Sequence, residues 1–177
     1  MLARLCTYTP IAYSLIASAV FLDSLRFKFT NAPETQTIFG KLDGWAASFG
    51  AEGLFAQTGL FSQYVIGSAE LVAASLLLAS LVPALKRLRA IGALIAVAVM
   101  SGAVSFHLLT PLGIDPNNDG AGLFGMAVLV WLTSLAMVVA NRGVLIELAT
   151  AIARVLVASN TSPRPPAEGP LQTPVRS

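Results

Sequence analysis

A chain with one histidine and one cysteine in 177 residues has narrow chemical options. His107 and Cys6 alone cannot build a bis-histidine haem, a three-histidine metal site or a Cys-x-x-Cys exchange pair within one chain. No metal and no intrinsic cofactor is therefore expected, and any electrons would travel on a partner or a diffusible molecule. What remains is a set of ionisable residues in or beside apolar stretches: Asp23, Glu70, His107 and Asp119. Such groups are costly in lipid, so they should face a bundle interior or water, and each is a functional candidate by default. Glu70 is the sharpest. Val65-Ile66-Gly67-Ser68-Ala69 before it and Leu71-Val72-Ala73-Ala74 after it offer no local cation. Its carboxyl must hold a proton or meet His107, Arg26 or Lys28 from another helix. A Glu70→Gln change nearly keeps size and hydrogen bonding, so it is expected to preserve folding and insertion while removing any function.

Plainer readings exist for each candidate. Asp23 and Arg26, three apart on a helix, can pair with one another. His107 can bond a backbone carbonyl at a helix end, and Glu70 can make a structural hydrogen bond to a neighbouring helix.

Composition identifies what must position these groups. Hydrophobic residues make up 55% of the chain and charged residues 11%, against about a quarter charged in soluble domains. The mean hydropathy is +0.74, which implies a largely lipid environment. A net charge of +2, dispersed along the chain, gives no nucleic-acid footprint. Four apolar runs, approximately 8–25, 61–85, 90–109 and 123–139, each approach the ~20 residues that cross a hydrocarbon core. Strand-like alternation is absent, so the runs are expected to be helices. The expected fold is all-α: a four-helix transmembrane bundle over 1–141, with an outer-surface amphipathic helix and a cytoplasmic interfacial helix. Arg4 and Ala17-Ser18-Ala19 resemble a signal peptide and its cleavage site, but apolar residues continue through Val20, Phe21 and Leu22.

Basic residues set the expected orientation. Lys86, Arg87 and Arg89 sit between runs two and three without an acid, and Arg4 and Arg142 flank the first and last runs. The positive-inside rule puts these three places, and both termini, in the cytoplasm. Residues 26–60 then lie outside, as does the loop with Asp115 and Asp119. Within the outer segment, Asn31, Pro33 and Glu34 have the pattern of a helix start. Ile38, Leu42, Trp45 and Phe49 recur at helical spacing, giving a short amphipathic helix at the membrane surface. Residues 142–158 place Leu145, Leu148, Ile152, Val155 and Leu156 on one broad side, which fits an interfacial helix better than a fifth crossing. Residues 159–177 are Pro-rich and polar and are expected to be disordered.

Asp115-Pro116-Asn117-Asn118-Asp119-Gly120 matches the first half of a calcium loop. Met126 stands where the closing glutamate belongs, so calcium is not expected to bind.

Phe27-Lys28-Phe29-Thr30 after the first run, Gly67-Ser68-Ala69-Glu70-Leu71 in the second and Phe106-His107-Leu108-Leu109-Thr110-Pro111-Leu112-Gly113 after the third together resemble the DoxX-like family of small four-helix membrane proteins. The resemblance covers roughly residues 11–140; the outer segment and the Pro-rich tail have no counterpart in it. It implies a place beside a membrane oxidoreductase system such as the quinone-reducing thiosulfate enzyme, in a bacterial cytoplasmic (inner) membrane. The chain would then be a non-catalytic or quinone-proximal subunit, with a quinone as the molecule within reach of Glu70 and His107. Arg26, Lys28, Asp23 and Asp119 complete the candidate substrate or proton site. Two other readings stay open. One is an accessory subunit that packs on a larger complex through small residues such as Ala93, Ser101, Gly102 and Ser105. The other is a small proton-coupled transporter using Glu70, although no inverted repeat or broken helix pair is present. Membrane lipid, other subunits of the complex or a redox partner are the expected partners.

Overall fold

Backbone groups facing lipid find no water to bond and must be satisfied within their own segment. The chain meets this with helices. A computed structural model describes residues 2–161, with side chains over residues 8–158. Six α-helices follow one another: α1 Leu2–Phe29, α2 Pro33–Ala47, α3 Gln63–Ala79, α4 Leu88–Leu109, α5 Gly122–Ala140 and α6 Arg142–Thr161, with a single 3-10 turn at Pro83–Leu85. There is no strand among the described residues. Among the described residues, three stretches are long and apolar enough to cross a membrane: Tyr8–Phe29, Leu88–Leu109 and Gly122–Ala140.

The apolar run read as 61–85 is shorter as a helix. It ends at Ala79, giving 17 residues. Pro83 is the physical reason. The residue before a proline is driven out of the α region, and Val82 is extended at φ −73° and ψ 124°. The Ser80 hydroxyl turns back to donate to the Leu77 carbonyl at 2.6 Å.

The chain divides into two units, one through Leu145 and one from Ile146. In the first, α1 packs on α3, α3 on α4 and α4 on α5, and a narrower contact between α1 and α5 closes the ring. The core is built from small residues punctuated by large ones: Tyr13, Ala17 and Phe21 of α1, Ala73, Ala74 and Leu77 of α3, Ala93, Ala96 and Met100 of α4, and Ala127, Val130 and Met137 of α5. Alanines let the backbones approach closely, the usual means of helix association where lipid removes the hydrophobic drive. Gly92 carries this furthest, since a Cβ there would lie 3.0 Å from Leu77 Cγ. Hydroxyls add directional ties, Tyr13 donating to Ser134 at 2.9 Å and Ser18 to the Ala74 carbonyl at 3.2 Å.

Helix α2 starts differently from the expected capping pattern. Ala32 is its N-cap and makes no side-chain cap bond. Asn31 instead adopts φ 52°, and its side chain accepts a bond from Gln63 Nε2 at 3.0 Å. Pro33 still fills the first turn, where its missing N–H costs nothing. Leu42 and Ala46 bury against Phe55 and Leu112, with Ile38, Phe39, Trp45 and Phe106 around them. Phe49 lies beyond the helix, exposed, edge-on to Trp45. After α2 the chain folds back on itself, Asp43 Oδ1 accepting from Phe55 N at 3.0 Å and Phe61 N donating to the Leu54 carbonyl at 2.9 Å.

In the second unit, α6 continues to Thr161, past the expected end at 158, and Ile152, Val155 and Leu156 are exposed along it. The expected disorder beyond it falls on residues 162–177, outside the described residues.

The fold-back after α2 depends on one glycine. A Cβ on Gly59 would sit 2.2 Å from the Gly53 carbonyl oxygen. Gly59→Ala should therefore cost about 1–3 kcal/mol, as overpacking does. Thermal unfolding in mild detergent should show a clear loss for Gly59→Ala and almost none for Gly44→Ala, whose Cβ would meet nothing within 4 Å.

Candidate functional site

Glu70 lies in the middle of α3, about 10 Å from the Gln63 end at 1.5 Å per residue. Lys28 is the penultimate residue of α1. A helical side chain leans toward the N-terminus of its own helix, so Lys28 reaches back along α1, donates to the Ser24 hydroxyl and crosses to α3. Its Nζ is 3.0 Å from both Glu70 oxygens. The side chains are 15% and 4% exposed, respectively. Gly67 makes room for the lysine stem, since a Cβ there would already touch Lys28 Cδ at 3.5 Å and Leu25 Cδ2 at 3.4 Å. Gln63 closes the site from above. It is buried, and its Nε2 donates to the Lys28 carbonyl at 2.8 Å and to Asn31.

The other candidates do not gather around this pair. Asp23 and Arg26 form their own ion pair at 3.0 Å, largely exposed, with the guanidinium over the Phe27 ring. His107 is buried and held by its own loop, Nδ1 lying 2.6 Å from the Gly113 carbonyl oxygen. A carbonyl can only accept, so Nδ1 carries a proton in this contact. Phe124 packs edge-on to the imidazole at 5.5 Å. No hydrogen bond or ion pair joins His107 to Glu70 among the described residues.

Asp119 is exposed and structural. Its Oδ2 accepts from Leu123 N at 2.9 Å, supporting the first turn of α5, whose N-cap Ala121 has no side-chain cap. Asp115 Oδ1 accepts from Asp119 N at 2.7 Å. Desolvation pushes the Asp115 carboxyl up, but bonds from the Asp119 side chain and from the N–H groups of Asp119, Ala121 and Gly120 outweigh it and hold it below its ordinary value. Asn117 Nδ2 is buried with no partner. No group of three metal-ligating side chains occurs among the described residues.

Two surface grooves of about 190 Å³ are present, one away from this pair and one beside Gln63. One, between α4 and α5, is lined by Ser101, Val104, Ser105, Leu108, Leu109 and Trp131, and Trp131 Nε1 donates to Ser101 at 2.9 Å. The other lies on the α2 side and includes Asn31, Gln36, Phe39, Asp43, Phe55 and Gln63. Sequence reasoning put Lys28 among the partners of Glu70 but gave no role to Ser24 or Gln63 and read Asn31 only as part of a helix start. Gln63, a polar residue just after Ser62, the N-cap of α3, and followed by an apolar run, was the available signal.

The chain matches no family model, and neither a curated protein nor a solved structure is found similar to it.

The pairing changes the expected outcome at Glu70. A glutamine there cannot neutralise Lys28, and removing one partner of a buried pair costs about 3–5 kcal/mol. Glu70→Gln should lower thermal stability by about that amount, whereas the double change Lys28→Met with Glu70→Leu should recover most of it. Equal losses in both variants would mean that packing rather than charge holds α1 on α3.

The turn before α5 should respond to acid. A carboxyl depressed in the fold supports the structure fully above its unfolded value, and that support is lost as pH falls through the lower folded value. Amide exchange at Gly120 and Ala121 should therefore accelerate on acidification. Asp119→Ala should cost about 1 kcal/mol, as a lost helix cap does.

Proposed function

We propose that the chain is a four-helix integral membrane protein of the DoxX-like type, acting as a non-catalytic subunit of a membrane oxidoreductase system. The observation that carries this is the Lys28–Glu70 pair. Both carboxylate oxygens are taken by one ammonium, and the buried His107 is committed to its own loop. The ionisable groups therefore serve to hold helices and loops, which favours the non-catalytic role over a quinone held between Glu70 and His107. In this reading α3 is the fourth crossing despite its 17 residues, with the Pro83 turn completing the passage. Helix α6 lies along the cytoplasmic surface, where its exposed Ile152, Val155 and Leu156 meet lipid. A quinone, where present, belongs to the partner that carries the redox cofactor.

The groove between α4 and α5 favours a second reading, an accessory subunit of a larger membrane complex of other function. Ser105 is exposed at membrane depth on a face that a neighbouring helix could approach closely.

Two measurements test the proposal. Reporters fused after Arg142 and within residues 86–89 should read cytoplasm, and one near Asp43 should read outside; a cytoplasmic signal at Asp43 would overturn the orientation. Purified in mild detergent, the chain should bring with it a partner that holds a redox cofactor, identified by mass spectrometry. Recovery with partners of unrelated chemistry, together with unchanged quinone reduction by membranes lacking the chain, would leave the accessory reading in its place.

A further inference from the structure

At the opposite end of the bundle from Glu70, a second cation is treated differently. Arg89 stands in the first turn of α4, which contains no acidic residue. Its Nε donates to Ser14 Oγ and its Nη2 to the Ser80 carbonyl, each at 3.3 Å. Ser14 and Ser80 are themselves buried and lie within 3.4 Å of each other. One edge of the guanidinium is thus anchored across α1, the end of α3 and α4. Its Nη1 has no protein partner, yet it is not among the buried polar atoms left unsatisfied, so it is open to the surroundings. The edge formed by Nη1 and the second hydrogen of Nη2 is taken by no group among the described residues.

No carboxylate lies within ion-pair distance of Arg89 among the described residues. Lys86, three residues before it, is exposed. A cation at the edge of a lipid-facing bundle is expensive without a counter-charge, and Arg89 has none among the described residues. The planar fork of a guanidinium fits a phosphate oxygen pair. The surface beside it is apolar, with Val82 51% and Leu85 44% exposed. A phosphodiester carrying acyl chains satisfies both surfaces at once, whereas free phosphate satisfies only the cations.

We propose that the turn between α3 and α4 binds the headgroup of an anionic phospholipid, with Arg89 as the anchored fork and Lys86 as a second contact. The inference rests on the reading that the bundle crosses a bilayer. Flotation of the full chain with phosphatidylcholine vesicles tests that reading first, so a chain that fails to insert is recognised before lipid composition is varied.

The test uses the full chain in vesicles of phosphatidylcholine mixed with phosphatidylglycerol, extracted gently and weighed by native mass spectrometry. Wild type should retain phosphatidylglycerol in preference to phosphatidylcholine. Lys86→Gln should reduce that preference about fivefold, the worth of one cation near a charged surface. Arg89→Lys keeps the charge but loses the fork, and it should reduce the preference as well, which covers the case in which Arg89→Gln fails to fold. Arg26→Gln, at the other end of α1, should leave the preference intact. Equal retention of the two lipids, or a preference unmoved by both Lys86→Gln and Arg89→Lys, overturns the proposal. Complete displacement of the lipid by inorganic phosphate also overturns it, since the site would then recognise the free anion.

Discussion

A charge inside an apolar bundle has to be answered by an opposite charge or by hydrogen bonds, because lipid supplies neither. The Lys28–Glu70 pair is this chain's answer on the α2 side, and much of the local architecture follows from it. Lys28 must descend one turn, so Ser24 lies where it can receive it. Its stem must pass α3, and a glycine stands at 67. The Lys28 carbonyl at the end of α1 accepts from Asn31 N, and Gln63 reaches over to give it a second donor. Asn31, bent into the left-handed region, gives Gln63 its second acceptor and turns the chain toward α2. The ion pair and the Gln63 bonds together tie the end of α1 to the start of α3 and to the entry of α2.

The remaining hydroxyls mostly turn inward on their own helices. Ser68 donates to the Tyr64 carbonyl, Thr110 to that of Phe106 and Thr133 to that of Leu129. Such local bonds satisfy a hydroxyl in lipid without specifying a neighbour. Those that cross between helices among the described residues include Tyr13 to Ser134, Ser14 with Ser80, Ser18 to Ala74 and Trp131 to Ser101. They select one registry among the many that a surface of alanines would accept.

The helical character and three of the membrane-length helices were legible because long uninterrupted apolar runs allow no other structure in lipid. The end of α3 was not, because hydropathy continues through Leu81, Val82 and Leu85 while the backbone is stopped by Pro83. Hydropathy measures side-chain transfer, and a proline acts through backbone geometry. The start of α2 misled for a related reason: Asn31 fits a capping box in sequence, but a left-handed backbone and the call of Gln63 on its side chain decide otherwise. At the site, the demand for a cation beside Glu70 was legible and Lys28 was among those named. Asp23, His107 and Asp119 bond Arg26, the Gly113 carbonyl and Leu123 N, partners that hydropathy alone does not name.

Helix α3 has 17 residues beside the 22 of α4, a difference of about 7 Å at 1.5 Å per residue. Two packed neighbours of unequal length cannot both match one flat slab of hydrocarbon. If α3 crosses beside α4 as proposed, a bilayer that fits α4 would have to thin around α3. The cost of such mismatch is a fraction of a kcal/mol per ångström. In the proposed four-crossing arrangement, this mismatch would favour thinner bilayer around the Pro83 turn.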